Sequence, residues 1–486
     1  MAKTKHPEWA LKHKRKGTEL RCIKGHYYLY EIKSKWNPEK KRSQKVTGKL
    51  LGKVTPNGFV ESKRRQDERK LDAILSQTIS TKSYGAVCFL FQQMNESLSI
   101  LESHFPDIWR EIVVLTYTRL VHQAPLKNVS FLFDTCFLSE QYTDLSITPK
   151  KASLLLKQLG DRRHQIVSYM RSFIQGNDFI LIDGTHVVSH SRKITFAKQG
   201  YNSQQSYDPQ INLMFLFSSK LKSPVFYRLL PGNIREVKAF KLTMEESGLT
   251  DAVIIADKGF YSQTNIEQLD AEQLKYIIPL RRHSQLIDYE NISKPQKQGF
   301  ENFFPFRKRF IWYYTIEQSQ NKRVIVFHDP QMQLKEETDY LKRIESDSDK
   351  YSLADFRNRQ ARFGTLSIYT NVIDKEPVEI YHCFKSRQAI ETMFDAMKNI
   401  LRSDRTYMQN DEALSGWLFI SYLALQWYYH IYNLLLEKNL ISKYSVSDIL
   451  MHLTEIRKVQ INDEWKLAEI TGKTQKLLEK LNVHIT

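Results

Sequence analysis

A mixed α/β fold follows from three features of the sequence. Short apolar runs of strand length follow one another in mid-chain: DFILID (178–183), QINLMFLFS (210–218), PVFYRLL (224–230) and TDAVIIAD (250–257). A stretch of helical character, Thr264 to Leu274, and another strand, KYIIPL (275–280), come next. Two of the strands end on an aspartate, and strands interleaved with helices build α/β sheets whose ligands sit at the carboxyl ends of strands.

The elements can be justified in order. The chain has 486 residues and 41% hydrophobic content, enough for a sizeable core and for two to four domains. Residues 1–70 hold 21 Lys/Arg and 7 Asp/Glu, so they carry +14 of the net +18. Within them RCIKGHYYLYEIKS reads as a strand, and KLLGKVTPNGFVE as another followed by a Pro-Asn-Gly turn. A small basic β-rich arm that grips a polyanion is expected there, because each neutralised phosphate releases counterions. Residues 71–175 read as helical: SHFPDIWREIVVLTYTRLVH has apolar residues at helical spacing, and Thr148-Pro149 marks a helix start. His104, His122 and His164 in this stretch read as core or surface histidines, not ligands. Residues 176–280 hold the first strands of the sheet. Residues 281–363 are polar and charged with aromatic patches, and they read as a β-rich insertion with a hairpin around 308–328. TLSIYTN (365–371) resumes the core over 364–438, and the chain from VEIYHCF to its end, including a tail at 439–486, reads as helical.

Several function classes fall away. The four cysteines, Cys22, Cys88, Cys136 and Cys383, form no C-x-x-C pair, so neither a zinc ribbon nor a disulfide framework is supported. A reduced, cytoplasmic setting fits. The charged N-terminus has no apolar run behind it, so no secretory signal is expected. Residues 417–436 (WLFISYLALQWYYHIYNLLL) approach bilayer-spanning length, but Ser421, Gln426, His430 and Asn433 favour a buried core helix, and no membrane contact is expected.

The chemistry lies in three carboxylates. Asp183 and Asp257 each end an apolar run, and each has a glycine close behind it, Gly184 and Gly259. On a strand's carboxyl end such a residue faces the mouth of the core, and the glycine is expected to turn the backbone away. Either aspartate alone reads equally well as a turn former. The third element is FKSRQAIETMFDAMKN, where Phe384, Arg387, Glu391 and Lys398 fall at offsets of three, four and seven, on one face of a regular helix. A carboxylate flanked by two cations on one face can hold a metal while the cations hold phosphates.

With these motifs the chain resembles the DDE transposases of bacterial insertion sequences, in the group marked by a Tyr-x2-Arg-x3-Glu-x6-Lys helix. Arg387, Glu391 and Lys398 match that spacing. Phe384 stands where the group has tyrosine, and Tyr381, one turn earlier, is the alternative aromatic. LIDGTHV, IIADKGFYS and SYDPQINLMFLFS followed by PVFYRLLPGN are similar to the same family, and the resemblance spans roughly residues 175–435. It implies an RNase H-like catalytic core in which two Mg²⁺ ions, with Mn²⁺ as the alternative, are clamped by the carboxylates. Asp183 would bridge both ions, and Asp257 and Glu391 would each bind one. Arg387 and Lys398 would contact phosphates of the DNA ends. Trp312, or else Tyr313 or Tyr314, would stack on a flipped base if the excised end forms a hairpin. Lys258 and Arg281 are candidates for lining the DNA channel. The expected partners are transposon ends and target DNA, with a homodimer in the synaptic complex and a bacterial, nucleoid-associated location. Two alternatives stay open: a metal-dependent nuclease on the same core, and a DNA-binding protein descended from a transposase whose site has decayed.

Overall fold

The computed structural model describes residues 6–75, 79–200, 208–234, 236–250, 252–319, 321–347, 349–461 and 464–486. The fold is mixed α/β, with 44% helix and 26% strand. The described residues form two compact units, one of residues 1–81 with 459–466 and one of 82–458 with 467–486.

The smaller unit is an antiparallel meander of four strands: β1 (Thr18–Ile23), β2 (His26–Asn37), β3 (Arg42–Thr55) and β4 (Gly58–Glu61). The run RCIKGHYYLYEIKS is therefore two strands and not one. Lys24 and Gly25 both take positive φ, 48° and 77°, and so make the tight turn that the right-handed twist of a hairpin prefers. Ala10, Leu20, Leu29 and Val54 make a small core under the meander. Beyond it β2 and β3 continue as a two-stranded ribbon, paired from Lys33↔Val46 to Asn37↔Arg42 and largely exposed.

The larger unit is organised by a nine-stranded sheet. Its strands are β5 (Asp178–Val188), β6 (Gln210–Ser218), β7 (Ser223–Pro231), β8 (Ala252–Ile255), β9 (Lys275–Pro279), β10 (Asn302–Phe306), β11 (Arg309–Ser319), β12 (Lys322–His328) and β13 (Thr365–Thr370). They lie in the order β10-β11-β12-β13-β9-β8-β5-β6-β7. β5, β6 and β7 form an antiparallel meander, β8 and β9 run parallel to β5, and β13 returns antiparallel to β9. The strands of the 281–363 segment do not form a sheet of their own, because β12 pairs along β13 from Arg323↔Thr370 to His328↔Thr365.

Helices pack around this sheet. Thr148 caps Pro149–Gly160 by accepting from the Lys151 N–H at 3.2 Å, with Pro149 in the first turn where its missing N–H costs nothing. The apolar run at 417–436 lies inside one helix, Asp411–Glu437, buried over most of its length. Two of its polar residues donate to carbonyls within the protein: the Gln426 amide to that of Pro224 at 3.2 Å and the Asn433 amide to that of Lys222 at 3.0 Å. Among the described residues no helix is long and apolar enough to cross a membrane. The C-terminal stretch is not wholly helical, since strands at Arg457–Ile461 and Glu464–Leu467 interrupt it. Their alternation over four or five residues is too short to stand out from helical spacing.

Candidate active site

Asp183 and Asp257 come together through strand register. β5 and β8 are adjacent and parallel, with Leu181 opposite Ile255. Each aspartate lies two residues past that pair, Asp183 still within β5 and Asp257 two residues beyond the end of β8, so the register brings both to the same region of the sheet. The setting of Asp183 differs from the sequence expectation in one respect. It does not end its strand: β5 runs on to Val188, and Asp183 pairs with Phe215 of β6. What ends beside Asp183 is the parallel partner, because β8 stops at Ile255. Gly184 accordingly makes no turn. It lies in extended strand opposite Met214, and a Cβ there would meet nothing nearer than 3.8 Å.

Backbone amides fix both carboxylates. Asp183 Oδ1 accepts from the Gly184 N–H at 2.8 Å, and Asp257 Oδ1 from the Lys258 N–H at 2.7 Å. Burial lifts the Asp183 carboxyl above its ordinary pKa, and the neighbouring Asp257 charge adds to this, while Arg387 and the Gly184 N–H pull the other way.

The segment carrying Glu391 is not one regular helix. Pro377–Lys385 ends at Ser386, Gln388–Asp395 starts after Arg387, and Ala396–Ile400 is a widened π turn. The offset of four still brings Arg387 to Glu391, but the offsets of three and seven cross these interruptions, so the four residues do not share one regular face. Phe384 belongs to the first helix and packs half-buried on the core, Arg387 sits at the start of the second, and Lys398 lies in the π turn. A π turn rotates the residues after it relative to an α-helix, which no spacing count can anticipate.

Arg387 gathers the three carboxylates. Its Nη2 lies 2.7 Å from Asp183 Oδ2, and its Nη1 lies 3.6 Å from Asp257 Oδ1 and 3.4 Å from Glu391 Oε1. The guanidinium side chain is 15% exposed, and among the described residues its Nε has no hydrogen-bond partner. The sequence signature led to Glu391 and expected Arg387 to face phosphate; its spacing of four also allows the pair with Glu391, while its contacts to Asp183 and Asp257 carry no signal in the spacing. Three carboxylates around one guanidinium leave two negative charges unbalanced, and all their donors are hard oxygens, which suits a hard divalent cation. Among the described residues no trio of His, Cys, Asp or Glu stands at metal-holding spacing. The site therefore fits such an ion in donor type and charge, with its present spacing set by the guanidinium.

The other candidates scatter. Lys258 is exposed beside Asp257, and Arg281 is exposed. Burial lowers the Lys398 pKa, with Asp404 opposing, and His186, half-buried on β5, is lowered by burial and by Lys398. Tyr381 is 4% exposed, its ring enclosed by Phe304, Phe306 and Phe327, so it anchors the strands rather than facing a ligand. Tyr313 and Tyr314 are buried too, and the Tyr314 hydroxyl donates to the Asp288 carbonyl. Trp312 is half-buried beside Phe300 and Phe303, with Phe303 and Phe310 exposed at the edge of the sheet.

Residues 174–427, just over half of the chain and including all three carboxylates, match the family of the transposase DDE domain. The chain belongs to the DDE transposase family. It is thus a transposase, an enzyme of DNA transposition. One solved structure similar to this transposase is the cryo-EM structure of a piggyBac transposase synaptic complex with hairpin DNA. The two are 11% identical with a TM-score of 0.42, over 71% of this chain and 70% of that one. No curated protein matches this transposase.

Proposed function

We propose that this transposase cuts DNA at the ends of its own mobile element and joins the freed 3′-hydroxyls to a target, by cut-and-paste transposition. One observation carries the reading: Asp183, Asp257 and Glu391 converge on a single guanidinium beside two in-register parallel strands, inside the family-matched region. The order of β7-β6-β5-β8-β9, an antiparallel meander joined to two parallel strands, supports an RNase H-like core.

Asp183, Asp257 and Glu391 would hold two divalent cations, Mg²⁺ or Mn²⁺. Such ions supply charge relief on the attacking and leaving oxygens of a phosphodiester. The chain's own part is to hold and to position. The amides of Gly184 and Lys258 hold the two aspartates, and the pairing of β5 with β8 brings their chain segments side by side. Lys398 would bind a phosphate of the DNA end, while Arg387, held by the three carboxylates, would balance their charge. Lys258, exposed beside Asp257, and Phe384 would contribute further DNA contacts. Trp312, with Phe303 beside it, would stack on a flipped base. The ribbon of β2 and β3 would grip duplex DNA: a two-stranded ribbon fits the major groove, and Lys33, Lys35 and Arg42 share one of its faces. Two copies would pair the two ends.

A strand-transfer assay tests the reading, using DNA that carries the short inverted repeats flanking the coding region and a supercoiled target. Joined products with Mg²⁺ or Mn²⁺ are expected. Nicked or linear DNA without joined product would make the protein a nuclease, and DNA binding without any cleavage would make it a decayed transposase.

A further inference from the structure

Between the π turn and the long Asp411–Glu437 helix runs a segment, residues 401–410, that the catalytic carboxylates leave unexplained. It is tied down. The Val188 N–H donates to the Asp404 carbonyl at 3.0 Å and the Thr406 N–H to the Val188 carbonyl at 3.0 Å, so the segment runs alongside the last residue of β5. Val188 lies five residues beyond Asp183, roughly 17 Å along the strand. Leu401, Ser403 and Thr406 are buried, while Arg402, Arg405 and Tyr407 are exposed. Tyr407 is 82% exposed, in a segment otherwise anchored at both ends.

Tyr407 forms a ridge between two cavities, of about 410 and 470 Å³, each of which it lines together with Arg405 and Thr406. The first has an apolar floor that includes Trp417, Leu156 and Ile420. Over that floor the Arg119 guanidinium lies 4.9 Å from the Trp417 ring, and it donates to Ser403 Oγ at 2.8 Å while its Nε has no partner. The second is lined by His190, Arg192 and Lys193. Among the described residues no carboxylate lines either cavity. Asp404 stands beside the ridge, its Oδ2 3.8 Å from Arg405 Nε.

An exposed aromatic ring, an apolar slot with a guanidinium over its floor, and a trough lined by three cations make the combination that binds an unpaired base and its phosphates. Duplex DNA cannot use the slot, since its bases are stacked and paired. We propose that the Tyr407 ridge binds single-stranded DNA, stacking one base on Tyr407 over the Trp417-floored cavity and seating adjacent phosphates against Arg192, Lys193 and Arg405. The source of that strand, DNA unpaired at a cut end about five base steps from the carboxylates, rests on the transposition reading; the binding itself does not.

The test uses the full chain in EDTA, so that nothing is cleaved. Fluorescence anisotropy compares a twelve-nucleotide thymidine oligomer with a duplex of equal length, and the oligomer carrying 5-iododeoxyuridine is then photo-crosslinked. Tyr407→Ala is expected to weaken single-strand binding roughly tenfold and to leave duplex binding within about twofold. The crosslink is expected on the tryptic peptide that begins at Thr406. No single-strand binding by the wild type, equal weakening of both DNA forms, or crosslinks confined to other peptides would each overturn the proposal. A chain that binds the oligomer in this way yet fails to join strands would retain the ridge and refute the transposition reading, so the two fail separately.

Discussion

Arg387 places one positive charge among three carboxylates, at 2.7, 3.4 and 3.6 Å. Partly buried like charges repel strongly unless a cation sits among them. Arg387→Ala should therefore melt several degrees below wild type in EDTA and recover in millimolar Mg²⁺, as read by calorimetry; an unchanged melting temperature in EDTA would show that the guanidinium does not balance the site. Arg387→Lys should rescue only partly, since a lysine ammonium cannot reach three carboxylates with a planar fork. The residue scale is also where the sequence was most informative. Asp183, Asp257 and Glu391 could be picked out because acids that close apolar runs and the Arg-x3-Glu-x6-Lys spacing leave marks in the chain. The grouping around Arg387 could not, because it depends on side-chain directions set by packing.

Elements bring these residues together, and their fit depends on close approach. The helices Pro149–Gly160 and Asp411–Glu437 cross backbone to backbone: a Cβ on Gly416 would lie 2.0 Å from the Leu156 carbonyl oxygen, and one on Gly160 1.8 Å from that of Glu412. Gly416→Ala should cost about 3 kcal/mol, because both clashing atoms are backbone and cannot swing aside; urea denaturation measures it, and a loss under about 1 kcal/mol would mean that the helices slide apart freely. Strands were legible at this scale, QINLMFLFS matching β6 residue for residue, because their apolar runs are short and sharply bounded. Two features were not. The extension of β5 past Asp183 reads as polar chain (GTHVV), since only pairing with β6 reveals it as strand. The break at Ser386 and the π turn at Ala396–Ile400 follow from packing, which spacing does not record.

Across the whole molecule, charge is the feature that sequence alone exposes best. Most of the net +18 lies in residues 1–70, and the structure puts Lys33, Lys35 and Arg42 on one face of an exposed ribbon. Replacing these three with glutamine should weaken duplex binding and lower the slope of log affinity against log salt by about 2 to 3. Anisotropy titrations across a salt series read this, and an unchanged slope would remove the ribbon from the DNA interface. The ribbon's role and the chemistry of the carboxylates are separable, so binding and cutting should fail in different variants. The central claim is that Asp183, Asp257 and Glu391 do the cutting. Its most direct measurement is the rate of end cleavage in Mg²⁺ by Asp183→Asn, Asp257→Asn and Glu391→Gln, with DNA affinity measured in parallel. Each variant should bind DNA as the wild type does and cut it roughly a thousandfold more slowly or worse; a variant that cuts at the wild-type rate would contradict the account.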